Sequence, residues 1–105
     1  MAEQSIEIDR YSLSRMSDFS NVRATIWLMD EKDAPIGRIE FRLNDVPQKI
    51  QMRPEGYPNV YYSIDAYPDV VDILRNEDPV YLVYSESMGY ARVSTSSTEP
   101  VGEAE

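Results

Sequence analysis

Residues 22–43, VRATIWLMDEKDAPIGRIEFRL, carry the clearest structural signal in the chain. Apolar side chains occupy every second position at the start of this stretch, a period that is typical of a strand with one buried face. The same period returns at Ile39, Phe41 and Leu43, which alternate with charged residues. Residues 30–35 between the two runs, four charged residues followed by Ala and Pro, are typical of a turn. The stretch therefore predicts a β-hairpin.

Strand patterns continue on both sides of the hairpin. Ile6 and Ile8 alternate with acidic residues, after which the period shifts by one position, so we expect a bulge or break near Arg10. Residues 14–20 are mostly polar and predict a loop. After the hairpin, the pattern predicts a brief pairing at 50–52 and further strands at 60–66, 80–84 and 90–94.

A short helix is expected before the last two strands. Pro68 suits the first helical turn, where its missing N–H group costs nothing. A helix of about two turns is too short to be stable alone, so it must pack on the sheet. The apolar residues that follow at helical spacing are Val70, Val71, Ile73 and Leu74.

These elements predict a mainly β (α+β) fold for a single domain at 1–94, followed by a flexible acidic C-terminal tail at 95–105. The strands are expected to form a single small antiparallel sheet or a partly open β-barrel of about six strands, with one short helix before the last hairpin. From Val22 onward, the order of elements resembles that of the OB-fold, which has a helix between its third and fourth strands.

Composition excludes several kinds of active site. The sequence contains no cysteine and no histidine, so disulfides, thiolate nucleophiles, Ser-His-Asp triads and zinc sites with Cys or His ligands cannot form. No phosphate-binding or dinucleotide-binding glycine motif is present. We therefore expect no cofactor, no metal and no catalytic residue, and an enzyme is not the leading hypothesis.

Charge and hydropathy bear on partners and location. The net charge of −9 opposes binding to phosphate backbones and anionic lipids, so neither nucleic acid nor a membrane is an expected partner. No apolar run approaches the roughly 20 residues of a transmembrane helix. Residues 1–4 lack the basic and apolar segments of a secretory signal. We expect a cytoplasmic protein.

Two charged clusters have both a functional and a structural interpretation. The acidic turn 30–33 offers oxygen ligands for calcium, but Lys32 lies within it, and its composition is that of a solvated turn. Arg38 and Arg42 project from one strand and could bind a small anion. Glu40 lies between them and favours ion pairing across strands instead.

Aromatic residues provide the leading functional hypothesis. The chain has eight tyrosines and one tryptophan, and these residue types are enriched at interfaces because they combine apolar area with a polar group. Trp27, Tyr61 and Tyr81 lie on the faces opposite the best core positions of their strands, so we expect them to line a recognition surface. The chain would then be a small non-catalytic protein-interaction or adaptor module.

The expected partner is another protein or a second copy of the chain. Residues 26–29 and 80–84 are apolar on both faces, and a strand of this kind needs cover on both sides. Any apolar area that the helix leaves uncovered would mark an interaction site. A homodimer formed through this area is a further hypothesis.

Two alternatives from other functional classes stay open. Asp65, Asp69 and Asp72 surround the predicted strand-to-helix junction and could serve a carboxylate-based enzyme if a cleft buried two of them. The helix dipole is the favoured explanation of the last two, because a helix N-terminus attracts negative charge. The acidic surface could instead mimic nucleic acid, or an OB-like barrel could stack bases on Trp27 and Tyr61.

Overall fold

The computed structural model of the chain describes residues 3–17 and 20–95. Strands make up most of these residues and a single α-helix occurs among them, which confirms the predicted mainly β class. The helix, α1, is Tyr67–Asn76, and a 3-10 turn at Ile64–Ala66 leads into it. The strands are β1 Gln4–Ile8, β2 Arg10–Arg15, β3 Val22–Met29, β4 Pro35–Arg42, β5 Gln51–Met52, β6 Pro58–Ser63, β7 Val80–Ser85 and β8 Tyr90–Thr95.

The strands form two sheets where one was expected. One sheet has five strands in the order β2-β3-β4-β6-β5, and the other has three in the order β1-β7-β8. The expectation of a single antiparallel sheet or a partly open, OB-like barrel is therefore corrected in two respects. The last hairpin pairs with β1 in a separate three-stranded sheet, and β4 and β6 run parallel. Parallel pairing requires a long connection, which residues 43–57 provide.

The β3–β4 hairpin forms as its alternating residues predict. Antiparallel pairing places Ile26 opposite Ile39 and Ala24 opposite Phe41. All four side chains are fully buried. The hairpin therefore supplies the centre of the inner face of the five-stranded sheet.

The acidic turn 30–33 is closed by its own hydrogen bonds. Oδ1 of Asp30 accepts bonds from the backbone N–H groups of Ala34 and Lys32 at 2.9 and 2.8 Å. The bonds from Ala34 and Lys32 lower the pKa of Asp30 below its ordinary value of 3.8. Asp33 has a φ of 64°, a left-handed conformation that Asp tolerates. Within residues 3–17 and 20–95, no group of three carboxylates is placed to hold a metal ion.

The break expected near Arg10 is confirmed at Asp9, where the chain passes from the three-stranded sheet to the five-stranded one. Other boundaries differ from the sequence-based expectation. Residues 14–15 continue β2 instead of beginning a loop. Residues 64–66 leave the strand because Oγ of Ser63 accepts a hydrogen bond from the N–H group of Asp65 at 3.3 Å, which starts the 3-10 turn.

The hydrophobic core is shared by the inner faces of both sheets and by α1. The helix contributes Val70, Val71 and Leu74, as its apolar spacing predicts. Tyr67, at the start of the helix, meets Phe41 of β4 edge to face, with ring centroids 5.0 Å apart. These contacts provide the tertiary support that so short a helix needs.

The predicted C-terminal tail lies almost entirely beyond the described ranges. Thr95, its first residue, is the last residue of β8. Residues 96–105 lie outside the described residues. In the part of the chain that is described, no helix has the length and apolar character needed to cross a membrane.

Gly37 of β4 is a point of close approach between the two sheets. A Cβ atom at this position would lie 2.6 Å from Cδ2 of Leu82 in β7. Leu82 is fully buried, so its side chain has core atoms around it and little room to move. The packing of the two sheets therefore requires a glycine here.

We expect Gly37→Ala to lower the free energy of unfolding by about 1–3 kcal/mol, because the added methyl group overpacks the core. Urea unfolding followed by circular dichroism measures the change. Leu82→Val shortens the obstructing side chain, so Gly37→Ala should cost less in that background than in the wild type. An equal cost in both backgrounds would contradict the steric explanation.

Candidate functional site on the five-stranded sheet

One face of the five-stranded sheet points away from the core and carries polar and aromatic side chains. Because β4 turns Ile39 and Phe41 inward, its alternate residues Arg38, Glu40 and Arg42 point outward. We call this surface the outer face. Its side chains, assigned from the strand registers, are Ser12, Ser14, Thr25, Trp27, Arg38, Glu40, Arg42, Gln51, Asn59, Tyr61 and Ser63.

Glu40 lies at the centre of the outer face. Its carboxylate accepts a hydrogen bond from Nη1 of Arg38 at 2.8 Å and another from Nε of Arg42 at 2.5 Å. Nη1 of Arg38 also donates to Oδ1 of Asn59 at 3.0 Å. The expected ion pairing therefore runs along β4 and not across strands, because residues two apart share a face. Glu40 is only 7% exposed, and each of its two carboxylate oxygens accepts a hydrogen bond from an arginine.

Each of these arginines covers an aromatic ring. The guanidinium carbon of Arg38 lies 5.6 Å from the ring centroid of Trp27, and that of Arg42 lies 5.2 Å from the ring centroid of Tyr61. A cation–π contact of this kind contributes roughly 0.5–2 kcal/mol. The five side chains form one continuous series of contacts, Trp27–Arg38–Glu40–Arg42–Tyr61, which we call the arginine–aromatic row.

Further contacts extend the row at both ends. Tyr57, just before β6, meets Trp27 edge to face with ring centroids 6.0 Å apart. The guanidinium carbon of Arg53 lies 6.0 Å from the ring centroid of Tyr57. At the other end, the hydroxyl of Tyr61 donates to Oε1 of Gln51 at 2.9 Å. Neighbouring strands and a loop therefore hold both half-buried rings of the row in place.

Tyr57, Asn59 and Gln51 are not among the site residues predicted from the sequence. The two-residue period that ends at Tyr61 passes through Asn59 and Tyr57, so the pattern carries a signal for both. The prolines and glycine at 54–58 instead favoured a loop. Gln51 belongs to a strand of two residues, which is too short to produce a period.

The charge state of Glu40 follows from two opposing effects. Burial raises the pKa of Glu40, because a low-dielectric site disfavours the carboxylate. The hydrogen bonds and charges of Arg38 and Arg42 outweigh burial, and the net shift is downward from the ordinary 4.5. Glu40 is therefore ionised at neutral pH and orients both guanidinium groups.

Tyr81 lies on a separate surface. It belongs to β7 and is paired with Glu7 of β1 and Ser94 of β8 in the three-stranded sheet. It lines an open depression of about 310 Å³ together with Glu3 and Arg92. The structure thus brings Trp27 and Tyr61 together on one sheet and places Tyr81 on the other.

The three aspartates of the alternative enzyme site are all exposed. Asp65 lies in the 3-10 turn, and Asp69 and Asp72 lie in the first two turns of α1. Oδ1 of Asp72 accepts a hydrogen bond from Nδ2 of Asn76 at 2.6 Å. Paired-carboxylate catalysis depends on different degrees of burial for its two groups. The exposed positions of these side chains do not provide that difference.

The two strand segments with apolar residues on both faces are partly covered by their own neighbours. In β3, the guanidinium of Arg38 lies over Trp27. In β7, Val83 is only 7% exposed although it points away from the core. Among the described residues, large apolar side chains are most exposed elsewhere, at Leu13, Met16, Leu43, Met88 and Tyr90.

Comparison with known proteins assigns neither a family nor a function to the chain. No protein-family model matches the chain, and neither the curated proteins nor the solved structures gave a match. The chemistry of the outer face is therefore the strongest guide to function.

We expect Glu40→Gln to lower the free energy of unfolding by about 1–3 kcal/mol near neutral pH, because two charge-assisted hydrogen bonds lose their anion. The pKa of Glu40 is lowered in the folded state. Its stabilising contribution is therefore complete above the unfolded pKa near 4.5 and is lost as the pH falls through the folded value.

Urea unfolding of the wild type and Glu40→Gln at about pH 7 and about pH 3 tests this expectation. The difference in the free energy of unfolding between the two proteins should shrink at the lower pH. A difference that stays constant would show that the charge of Glu40 does not contribute.

Proposed function

We propose that this chain is a small non-catalytic interaction module that binds another protein through the outer face. The arginine–aromatic row carries the proposal. Trp27 and Tyr61 are half-buried, and each is held against a guanidinium group that Glu40 orients. Side chains that are already ordered lose little conformational entropy on binding, so a larger part of their contact energy contributes to affinity.

The residue types of the row are those that dominate binding energy at protein interfaces. Trp, Tyr and Arg are the residues most enriched among interface hot spots. Small polar side chains, Ser12 and Ser14 on β2 and Ser63 on β6, flank the row on the same face. The row therefore has a paired ionic centre, an aromatic ring at each end and small polar side chains beside it, so a partner would meet apolar area next to groups that can form hydrogen bonds.

The charge of the row favours a protein partner with exposed carboxylates. Two arginines and one glutamate give the row a net charge of +1 (2 − 1), whereas the whole chain carries −9. Guanidinium groups bind carboxylates through charge-assisted hydrogen bonds. Nucleic acid is a weaker candidate, because the chain repels phosphates at long range and Glu40 already occupies one donor of each arginine.

We propose the cytoplasm as the compartment of this interaction. Because the chain has no cysteine, its stability does not depend on disulfides, which form in oxidising compartments.

A pull-down from host lysate tests the proposal. The baits are the full chain, a Trp27→Ala, Tyr61→Ala double variant, and Tyr81→Ala as the matched control on the other sheet. Circular dichroism first establishes that each bait is folded. We expect a protein partner with the wild type and Tyr81→Ala, and its loss with the double variant. Equal recovery by all three baits would place the binding site elsewhere.

A titration with the purified partner then measures affinity directly. Trp27 is the only tryptophan in the sequence, so its fluorescence reports on the outer face. We expect Arg38→Lys to weaken binding about tenfold, because lysine keeps the charge but cannot form the planar fork. A parallel titration with oligothymidylate covers the alternative function: saturable quenching of Trp27 would favour base stacking over protein binding.

A further inference from the structure

β2 forms a free edge of the five-stranded sheet. It pairs with β3 on one side, and no other strand of the described residues pairs with it. The N–H group of Met16 donates to the carbonyl oxygen of Arg23, so the even-numbered residues of β2 hydrogen-bond to β3. The backbone N–H and C=O groups of Tyr11, Leu13 and Arg15 therefore point away from the sheet.

The sequence of this edge does little to prevent pairing with another strand. Natural edge strands are commonly blocked by proline, lysine, a bulge or a covering element. β2, with the sequence RYSLSR, contains no proline, glycine, lysine or acidic residue, and its two charged residues, Arg10 and Arg15, stand at its ends. Leu13 at its centre is 42% exposed, and Met16 just beyond its end is 43% exposed.

Helix α1 supports β2 from the inner side without covering its edge. The guanidinium carbon of Arg15 lies 5.4 Å from the ring centroid of Tyr67, the first residue of the helix. Tyr11, near the start of β2, lines a depression with Leu74 of the same helix. Between these two supports, Leu13 keeps its exposed area. The strand is therefore held in place, and within residues 3–17 and 20–95 no backbone hydrogen bond occupies its outward groups.

The β2 sequence is self-complementary about Leu13. When two copies run antiparallel with Leu13 opposite Leu13, Ser12 faces Ser14 and Tyr11 faces Arg15 in both directions. This register uses the outward backbone groups of all three odd-numbered residues. It also keeps every side chain on its own face, with both serines on the outer face. No pair of like charges is opposed within the strand.

We infer that two copies of this chain join through β2 across a twofold axis, so that their five-stranded sheets become one continuous sheet. About six backbone hydrogen bonds would link the copies, two for each of the three facing pairs. The exposed Leu13 side chains would cover each other, and Arg15 would approach the ring of Tyr11 in the second copy. Such an isologous contact closes at two copies.

The dimer would also place two outer faces on one surface. β2 flanks β3, so the arginine–aromatic row of each copy would lie on the same side of the joined sheet. A partner with two matching sites would then gain affinity from the linkage. The inference itself depends on β2 alone and does not require the outer face to bind anything.

Sedimentation of the full chain over a range of concentrations tests the inference. We expect the mass to rise from the 12.1 kDa of one chain to twice that value. Leu13→Lys places two like charges opposite each other at the twofold axis and should weaken dimerisation at least about tenfold. Leu13→Val is the matched control, because it keeps an apolar side chain with good strand propensity and should still dimerise.

A second variant addresses the backbone directly. Leu13→Pro removes the outward N–H group at the axis and leaves the bonds from the even-numbered residues to β3 intact, so it should be a folded monomer. Circular dichroism checks the fold of each variant. A wild-type chain that stays monomeric, or a dimer that persists in folded Leu13→Lys, overturns the inference.

The outer-face variant separates this inference from the proposed function. Trp27→Ala, Tyr61→Ala should dimerise as strongly as the wild type, because neither residue lies on β2. If that variant loses the dimer while remaining folded, the interface lies on the outer face and the assignment to β2 is wrong. If it keeps the dimer but recovers no protein from lysate, both proposals are supported independently.

Discussion

The alternation of side chains along β4 is the constraint on which the rest of the structure depends. Its inward residues Ile39 and Phe41 fill the core, and its outward residues Arg38, Glu40 and Arg42 form the middle of the arginine–aromatic row. Because β4 is paired with β3 on one side and β6 on the other, a shift of one residue would exchange core and surface along the whole strand. One strand therefore sets both the packing of the two sheets and the geometry of the candidate site.

Glu40 makes the outer face a cooperative unit. Burying an unpaired carboxylate costs several kcal/mol, and the two arginines offset that cost only because they are both in reach. Each arginine in turn is held against a ring, Trp27 or Tyr61, by a contact worth roughly a kcal/mol. No single contact is strong, but each one restricts the conformations available to the next. The outcome is an ordered outer face on a molecule that is acidic as a whole. The same five-stranded sheet has β2 as its edge strand.

Much of the local structure follows from the sequence alone. The hairpin at 22–43 and the helix with Pro68 in its first turn are predicted correctly, because hydrophobic period and turn chemistry act between residues that are close along the chain. The outward direction of Trp27 and Tyr61 follows from the same period. The absence of cysteine and histidine excludes whole classes of active site whatever the fold. In contrast, the sequence pattern does not predict that Leu13 is exposed, because its exposure depends on which residues of β2 the neighbouring elements cover.

Only the tertiary structure decided how these elements combine. It divided the strands into two sheets, paired β4 with β6 in parallel, and left Tyr81 on a different sheet from Trp27. It also brought Tyr57 against Trp27 across 30 residues of chain (57 − 27). Each of these outcomes depends on which distant segments pair, and a local period contains no information about its distant partner. The sequence by itself therefore determined the faces of the strands and the chemistry they can carry, whereas long-range packing determined which faces became core, site and edge.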